Sequence, residues 1–189
     1  MKKIDTLVGA FLSLQEIKIG ALTIKKTELK SMIYFFQSLE KVGASILVHE
    51  NGLLETMKNS FGYLKNIGGS LEIRYNSKLT SLNEAFNKVK QIDGGDEDLT
   101  TDLDTSDIDT PMNHRRGFSL LNFLDVSRRD ATITITHNAE FLLSMNDAFK
   151  LVEETSGKID KVNNSKLESV TGSFVELKKI KTSLLMDSN

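Results

Sequence analysis

Phe11, Phe36, Phe61 and Phe86 stand 25 residues apart, and after a break Phe149 and Phe174 resume the same step. A fixed period of that length constrains a chain more than its composition does. It belongs to solenoids, in which each repeat is one turn of chain laid on the last.

The period holds for whole sets of residues. With Asn76 as origin, Leu71 and Ile73 precede it, and Leu79, Leu82, Phe86, Val89 and Ile92 follow at +3, +6, +10, +13 and +16. A shift of 25 places gives Ile46, Val48, Asn51, Leu54, Met57, Phe61, Leu64 and Ile67. Asn164, Leu167, Val170, Phe174, Leu177 and Ile180 repeat the pattern near the C-terminus, and Ile4, Leu7, Phe11, Leu14 and Ile17 repeat it near the N-terminus. One unit is imperfect: Met32, Phe36, Leu39 and Val42 are in frame, but Leu22 and Ile24 sit one place late.

The alternation Leu71-Glu72-Ile73-Arg74 reads as a strand with one face inward and one outward. The following steps of three cannot continue that strand. They suit bent or 3₁₀-like corners, or a single helical turn around Ala85-Phe86. Gly43, Gly68-Gly69, Gly94-Gly95 and Gly157 precede the strand slots, where positive φ is expected. Asn51, Asn76, Asn138, Asn164 and Asn189 close the strands, and their amides are expected to bond the turn backbone and the equivalent amide one coil away. A row of ligand-binding amides is the alternative role for them. The chain therefore reads as a single β-rich solenoid over residues 1–189 with coils of about 25 residues.

The run Ile67-Gly68-Gly69-Ser70-Leu71-Glu72-Ile73-Arg74-Tyr75-Asn76-Ser77-Lys78-Leu79 resembles a repeat of the receptor L-domain family, relatives of leucine-rich repeats. It is most similar to fungal glycolipid-anchored cell-wall proteins of that type. The resemblance implies a right-handed β-helix-like solenoid, extracellular or cell-surface placement, and a non-enzymatic role in recognition, adhesion or wall organisation. The implied ligand is a protein or a glycan. A leucine-rich-repeat horseshoe with short helices is the alternative fold, although it expects Asn-x-Leu where this chain keeps Asn-x-x-Leu. An intracellular scaffold for protein–protein interaction is the alternative function, since the chain has no cysteine and no clear anchor.

Between Phe86 and Phe149 the register breaks. Placing Phe123, Val126 and Arg129 in the +10, +13 and +16 slots predicts one further coil, with Asn113 in the asparagine slot and a twelve-residue insertion over 96–107. A single extra residue is expected before Met145. The insertion holds six acids and no base. It reads as a solvated loop rather than a calcium site, because the EF-hand glycine and closing glutamate are missing. The coil it decorates, with Arg116, Ser119 and Pro111, is the least apolar.

A net charge of −2 argues against nucleic acid as partner. No phosphate loop, nucleophile motif or paired-acid constellation is present, so the chain reads as a non-enzyme without a cofactor. His49, His114 and His137 fall on different coils. Counting the expected extra coil, His49 and His137 lie three coils apart, roughly 14 Å, too far to share a metal. Lys2-Lys3 and the apolar run to Leu14 have the charge and hydropathy of a secretory leader, but Asp5 interrupts the run and Phe11, Leu14 and Ile17 keep the repeat register. No stretch is long enough to span a bilayer as a helix.

Outward strand residues are the candidate binding face: His49 and Glu50 on one coil, Glu72, Arg74 and Tyr75 on the next, and Thr134, Thr136 and His137 beyond the break. A parallel sheet repeats such positions at fixed spacing, and Arg and Tyr are enriched at interaction hot spots. Met1 and Asn189 share the asparagine phase without a polar capping coil, which points to part of a longer array or to end-to-end self-association.

Overall fold

The computed structural model describes residues 10–92, 132–136, 138, 142–162, 164 and 166–186. Among these, twelve strands form two six-stranded parallel sheets. The narrow sheet stacks β1 (Glu16–Ile17), β3 (Lys41–Val42), β5 (Asn66–Ile67), β7 (Gln91–Ile92), β9 (Glu154–Thr155) and β11 (Lys179–Ile180). The wide sheet stacks β2 (Leu22–Lys25), β4 (Ile46–His49), β6 (Leu71–Arg74), β8 (Ile133–Thr136), β10 (Ile159–Val162) and β12 (Leu184–Met186). A third line of single bridges joins Ser31, Thr56, Ser81, Ser144 and Ser169. The chain is a parallel β-solenoid with coils of about 25 residues.

The steps of three are tight turns. Leu79 N–H donates to the Asn76 carbonyl at 3.0 Å, Ala85 to Leu82 at 3.0 Å and Val89 to Phe86 at 3.1 Å. The apolar slots from +3 to +13 are thus ends of i→i+3 turns, which aim their side chains inward while the chain bends, and the +16 slot falls on a narrow-sheet strand. No helix occurs among the described residues. Neither the horseshoe with short helices nor a helical turn at Ala85-Phe86 is formed.

Because the coils are in register, like residues lie over like. Phe11, Phe36, Phe61, Phe86, Phe149 and Phe174 form one column with successive ring centroids 4.9–5.5 Å apart and planes within 16° of parallel. Stacked rings need that separation, and the rise of a parallel sheet supplies nearly the same distance. Beside this column lie the inward strand residues Ile46, Val48, Leu71, Ile73 and Ile133, all fully buried. At the equivalent place in β10 stands Lys161, paired in register with Ile135 and Met186. It is half-buried, so its stem covers the column where a branched side chain would fill it.

The asparagines form a second column. Asn76 Nδ2 donates to the Val48 carbonyl at 2.9 Å and to Asn138 Oδ1 at 3.3 Å. Its own Oδ1 accepts the N–H and the Nδ2 of Asn51, each at 3.1 Å. Asn138 and Asn164 continue the ladder through the Ile73 and Ile135 carbonyls. All four amides are buried and bonded, so the column holds the coils together rather than offering groups to a ligand.

The glycines work differently from the sequence expectation. Gly43, Gly68 and Gly69 do not have positive φ. They are needed because successive coils approach there: a Cβ on Gly43 would collide with the Lys18 carbonyl, one on Gly68 with the Gly43 carbonyl, and one on Gly69 would lie 2.6 Å from Ser45 Oγ. The left-handed corners fall instead on other residues. One column is Lys26, Glu50 and Tyr75, with φ of +53°, +54° and +55°; another is Tyr34, Asn59, Glu84 and Asp147, at +50° to +59°. Asn59 and Asp147 are of types that tolerate it, but at Lys26, Glu50, Tyr75, Tyr34 and Glu84 the ladder imposes the conformation on residue types that do not favour it. Gly43→Ala is expected to destabilise by about 1–3 kcal/mol through overpacking. Gly52→Ala, which would meet only Ser77 Oγ at 3.8 Å, is expected to be neutral or to stabilise by up to about 1 kcal/mol. Urea unfolding midpoints distinguish the two; equal shifts would contradict the close approach.

Two register slips are absorbed at corners. Leu22 pairs with Ile46 at an offset of 24, the extra residue sitting in the corner that contains Gly20 at φ +100°. Thr27 then fills the asparagine slot, its N–H and Oγ1 both donating to Asn51 Oδ1. The single extra residue expected before Met145 lies between Asn138 and Leu142, where the turn closes from Leu142 N–H to the Asn138 carbonyl four residues back.

The larger break differs from the sequence expectation. β6 pairs directly with β8, Leu71 opposite Ile133, an offset of 62 where β4 and β6 keep 25. β7 likewise pairs directly with β9. All 37 extra residues therefore fall between Ile92 and Ile133, and no coil built on Phe123, Val126 and Arg129 separates β6 from β8. The 96–107 insertion, its calcium alternative and the Pro111 coil lie outside the described residues. β8, which precedes His137, is two rungs from β4 rather than three.

Candidate functional site

Alternation places Thr23, Leu47, Glu72, Thr134, Asp160 and Leu185 in one outward column of the wide sheet, and Lys25, His49, Arg74 and Thr136 in the next. Side chains in each column stand about one sheet spacing apart, so charges on adjacent rungs meet.

Three rungs gather most of the charge. Glu72 accepts a hydrogen bond from Arg74 Nη2 within the same strand. Its carboxylate also lies 3.5 Å from His49 Nε2 on the preceding rung. Glu50 reaches back to Lys25 at 3.4 Å and Lys26 at 3.2 Å. The bond from Lys26 is the main reason the Glu50 carboxyl titrates below its usual range. Burial pushes the His49 pKa down, Glu72 opposes that, and Arg74 and Lys25 reinforce it. His49 is therefore neutral near pH 7, and Lys25, Lys26 and Arg74 carry the positive charge of the patch.

Tyr75 and Glu50 are not strand residues, as the sequence reading had them. Each follows its strand in the left-handed corner, which turns the side chain to the rim of the sheet, where Tyr75 is 51% exposed. Thr134 and Thr136 do point outward in register but are only 8% and 7% exposed. Their short side chains lie beside the longer Glu72 and Arg74 on one rung and Asp160 on another, so they contribute a floor rather than a contact surface. His137 lies outside the described residues. The structure thus brings together His49, Glu50, Glu72, Arg74 and Tyr75, with Thr134 and Thr136 adjoining on the next rung but covered.

Two polar atoms in this patch are shielded from solvent: His49 Nε2, which faces the Glu72 carboxylate at 3.5 Å, and Arg74 Nε, which lacks a hydrogen-bond partner. Buried polar atoms are nearly always paired, and leaving one unpaired costs about 1–3 kcal/mol.

The narrow sheet carries a second polar surface that the sequence reading did not single out. Glu40 pairs with Lys65 at 2.7 Å, Glu153 with Lys178 at 3.0 Å and Glu16 with Lys41 at 3.9 Å, each one rung apart. Two shallow grooves of about 460 and 400 Å³ run along it, the first lined by Lys90, Glu153 and Lys178 among others, the second by Glu16, Glu40 and Lys65 among others. The signal was available as opposite charges 25 residues apart. Exposed pairs of this kind contribute little stability, and their charges already satisfy one another.

The Ser/Thr slot was also missed. Ser31, Thr56 and Ser81 each accept the backbone N–H two residues on, at 3.1–3.2 Å, which fixes the turn toward the phenylalanine column. Its role is structural.

Among the described residues, no group of three His, Asp or Glu side chains is placed to hold a metal ion, and no helix is long and apolar enough to cross a membrane. Comparison with protein-family models, curated proteins and solved structures gives no match for this chain.

Proposed function

We propose that the chain is a non-enzymatic recognition module that engages a protein or glycan ligand through the wide sheet, with His49, Glu50, Glu72, Arg74 and Tyr75 as the contact patch. The observation that carries this reading is the shielded Arg74 Nε, without a hydrogen-bond partner, within the His49–Glu72–Arg74 cluster and beside an exposed tyrosine. A ligand hydroxyl or carbonyl accepting from Arg74 Nε would relieve that cost, and Tyr75 offers an amphipathic ring with few rotatable bonds. The rigid ladder beneath holds all five residues in fixed relation before binding, which limits the entropy lost on association. Cell-surface placement follows from the resemblance of the Gly68–Leu79 motif to receptor L-domain repeats, and adhesion or wall organisation is the role that such placement implies.

The test is retention on arrays of surface glycans and of extended peptides, with the unmodified chain and an Arg74→Ala/Tyr75→Ala variant of matched melting temperature. Retention of at least one ligand class by the unmodified chain, weakened tenfold or more in the variant, is expected. Retention indifferent to the substitutions, or none to either array, would overturn the assignment.

A further inference from the structure

A single carboxylate oxygen on the wide sheet faces two donors. Glu72 Oε2 accepts from Arg74 Nη2 and stands 3.5 Å from His49 Nε2, longer than an ordinary N–H···O bond. The imidazole also lies between two cations. Register sets Lys25 beside His49 and His49 beside Arg74, so the three side chains form one outward column with a sheet spacing between neighbours. The other charges against His49 are Glu72, diagonal to it on β6, and Glu50, the next residue, which is paired with Lys25 at 3.4 Å and with Lys26 at 3.2 Å.

A proton on His49 sets three positive charges in a line, and like charges on adjacent rungs repel. It also turns Nε2 into a charged donor a short way from an oxygen that Arg74 holds. Both effects fall on Arg74, because Glu50 already offsets Lys25. The guanidinium is the member able to move: it ends a long side chain and is more exposed than the Glu72 carboxylate. The pH at which this happens follows from the surroundings of the ring. Burial lowers the His49 pKa, with Arg74 and Lys25 in the same sense, while Glu72 and Glu50 oppose them, so protonation sets in below about 6.5. The unfolded chain takes up that proton more readily, so the stability contributed by the neutral ring is present above about pH 6.5 and is lost as pH falls.

We infer that His49 is a proton-operated release for Arg74: once protonated it takes the Glu72 oxygen, and the guanidinium leaves the carboxylate and opens to an anionic group. At neutral pH the Arg74–Glu72 bond keeps the guanidinium engaged within the sheet. In mild acid the patch gains one positive charge and a guanidinium fork free to grip a carboxylate. The ligand chemistry this favours is acidic, held more tightly as pH falls. That consequence rests on the contact patch proposed above, whereas the exchange of partners between His49, Glu72 and Arg74 needs no ligand.

Nuclear magnetic resonance of the full chain without ligand, from about pH 8 to about pH 5, tests the exchange. The His49 ring signal is assigned by its loss in His49→Gln, whose amide spectrum should otherwise match the parent. The Arg74 Nε–H signal is expected to shift with the midpoint of His49, and its exchange with solvent to accelerate tenfold or more as it leaves its shielded place. In His49→Gln it should hold its neutral-pH position throughout. An Arg74 signal that stays still while His49 titrates, or that moves alike in parent and variant, would overturn the inference. Acidic members of the glycan and peptide arrays should be retained tenfold or more tightly at about pH 5.5 than at about pH 7.5, and pH-independent retention of them would overturn the acidic-ligand consequence. No retention at either pH beside an intact exchange would defeat the contact patch and not the release.

Discussion

Asn76→Ala is expected to destabilise the solenoid by about 3–5 kcal/mol, more than any surface substitution on the same coil. The side chain is fully buried and bridges three coils: it accepts from Asn51 and donates to the Val48 carbonyl and Asn138 Oδ1. Alanine removes the acceptor of the Asn51 N–H and of one Asn51 Nδ2 hydrogen, the other keeping the Ile24 carbonyl, and the donor to the Val48 carbonyl, in a place water does not reach, at about 1–3 kcal/mol each. Asn76→Asp should be about as damaging, since it removes both Nδ2 donors and buries a charge. Ser77→Ala, one residue on and exposed, is the control and should shift the urea midpoint little. If Asn76→Ala and Ser77→Ala shifted it equally, the amides would not be the cross-links between coils.

Phe61→Ala is expected to cost about 3–5 kcal/mol by opening a cavity in the aromatic column. Phe61 is fully buried between Phe36 at 5.1 Å and Phe86 at 4.9 Å, so both neighbours lose a stacking face. Phe61→Leu separates ring contact from burial: it keeps most of the apolar volume and should cost less than alanine while still losing about 0.5–1.5 kcal/mol per stacked pair. Lys58→Ala, exposed on the same coil, should be near neutral. Thermal or urea unfolding gives the ranking, and an alanine effect no larger than that at Lys58 would place the ring outside the core.

What the sequence disclosed, it disclosed through repetition. Phe61 and Asn76 recur at equal spacing because each must lie over its own kind, and identical residues at identical offsets are visible without coordinates. The i→i+3 turns were legible for the same reason, from the +3, +6, +10 and +13 slots. The conformation of single residues was not. Nothing in Glu50, Tyr75 or Tyr34 favours positive φ; the ladder bonds on either side fix that corner, and residue type is overruled. Gly43 and Gly68 were correctly placed at a corner, but the cause is the neighbouring coil's carbonyl, a contact made 25 residues away.

Once the period broke after Ile92, it lost its power to assign register. Phe123, Val126 and Arg129 match three slots, yet only the pairing of Leu71 with Ile133 decides which chain lies next to β6. The candidate site shows the same division. Glu72 and Arg74 could be placed outward by alternation alone, because side-chain direction has period two. The covering of Thr134 and Thr136 depends on the lengths of neighbours on other rungs, and the Glu50 and Tyr75 corner depends on φ.

The register itself can be measured by cysteine pairing, since the chain has no cysteine of its own. Adjacent parallel strands hold register partners within reach of a disulfide, whereas residues two rungs apart are beyond it. Glu72→Cys/Thr134→Cys should oxidise to an intramolecular bridge as readily as Leu47→Cys/Glu72→Cys, although its partners are 62 rather than 25 residues apart. Glu72→Cys/Asp160→Cys, two rungs apart, should stay reduced under the same conditions. Bridging of the last pair without the first, or no bridging in the 25-residue pair, would contradict a stack of in-register coils.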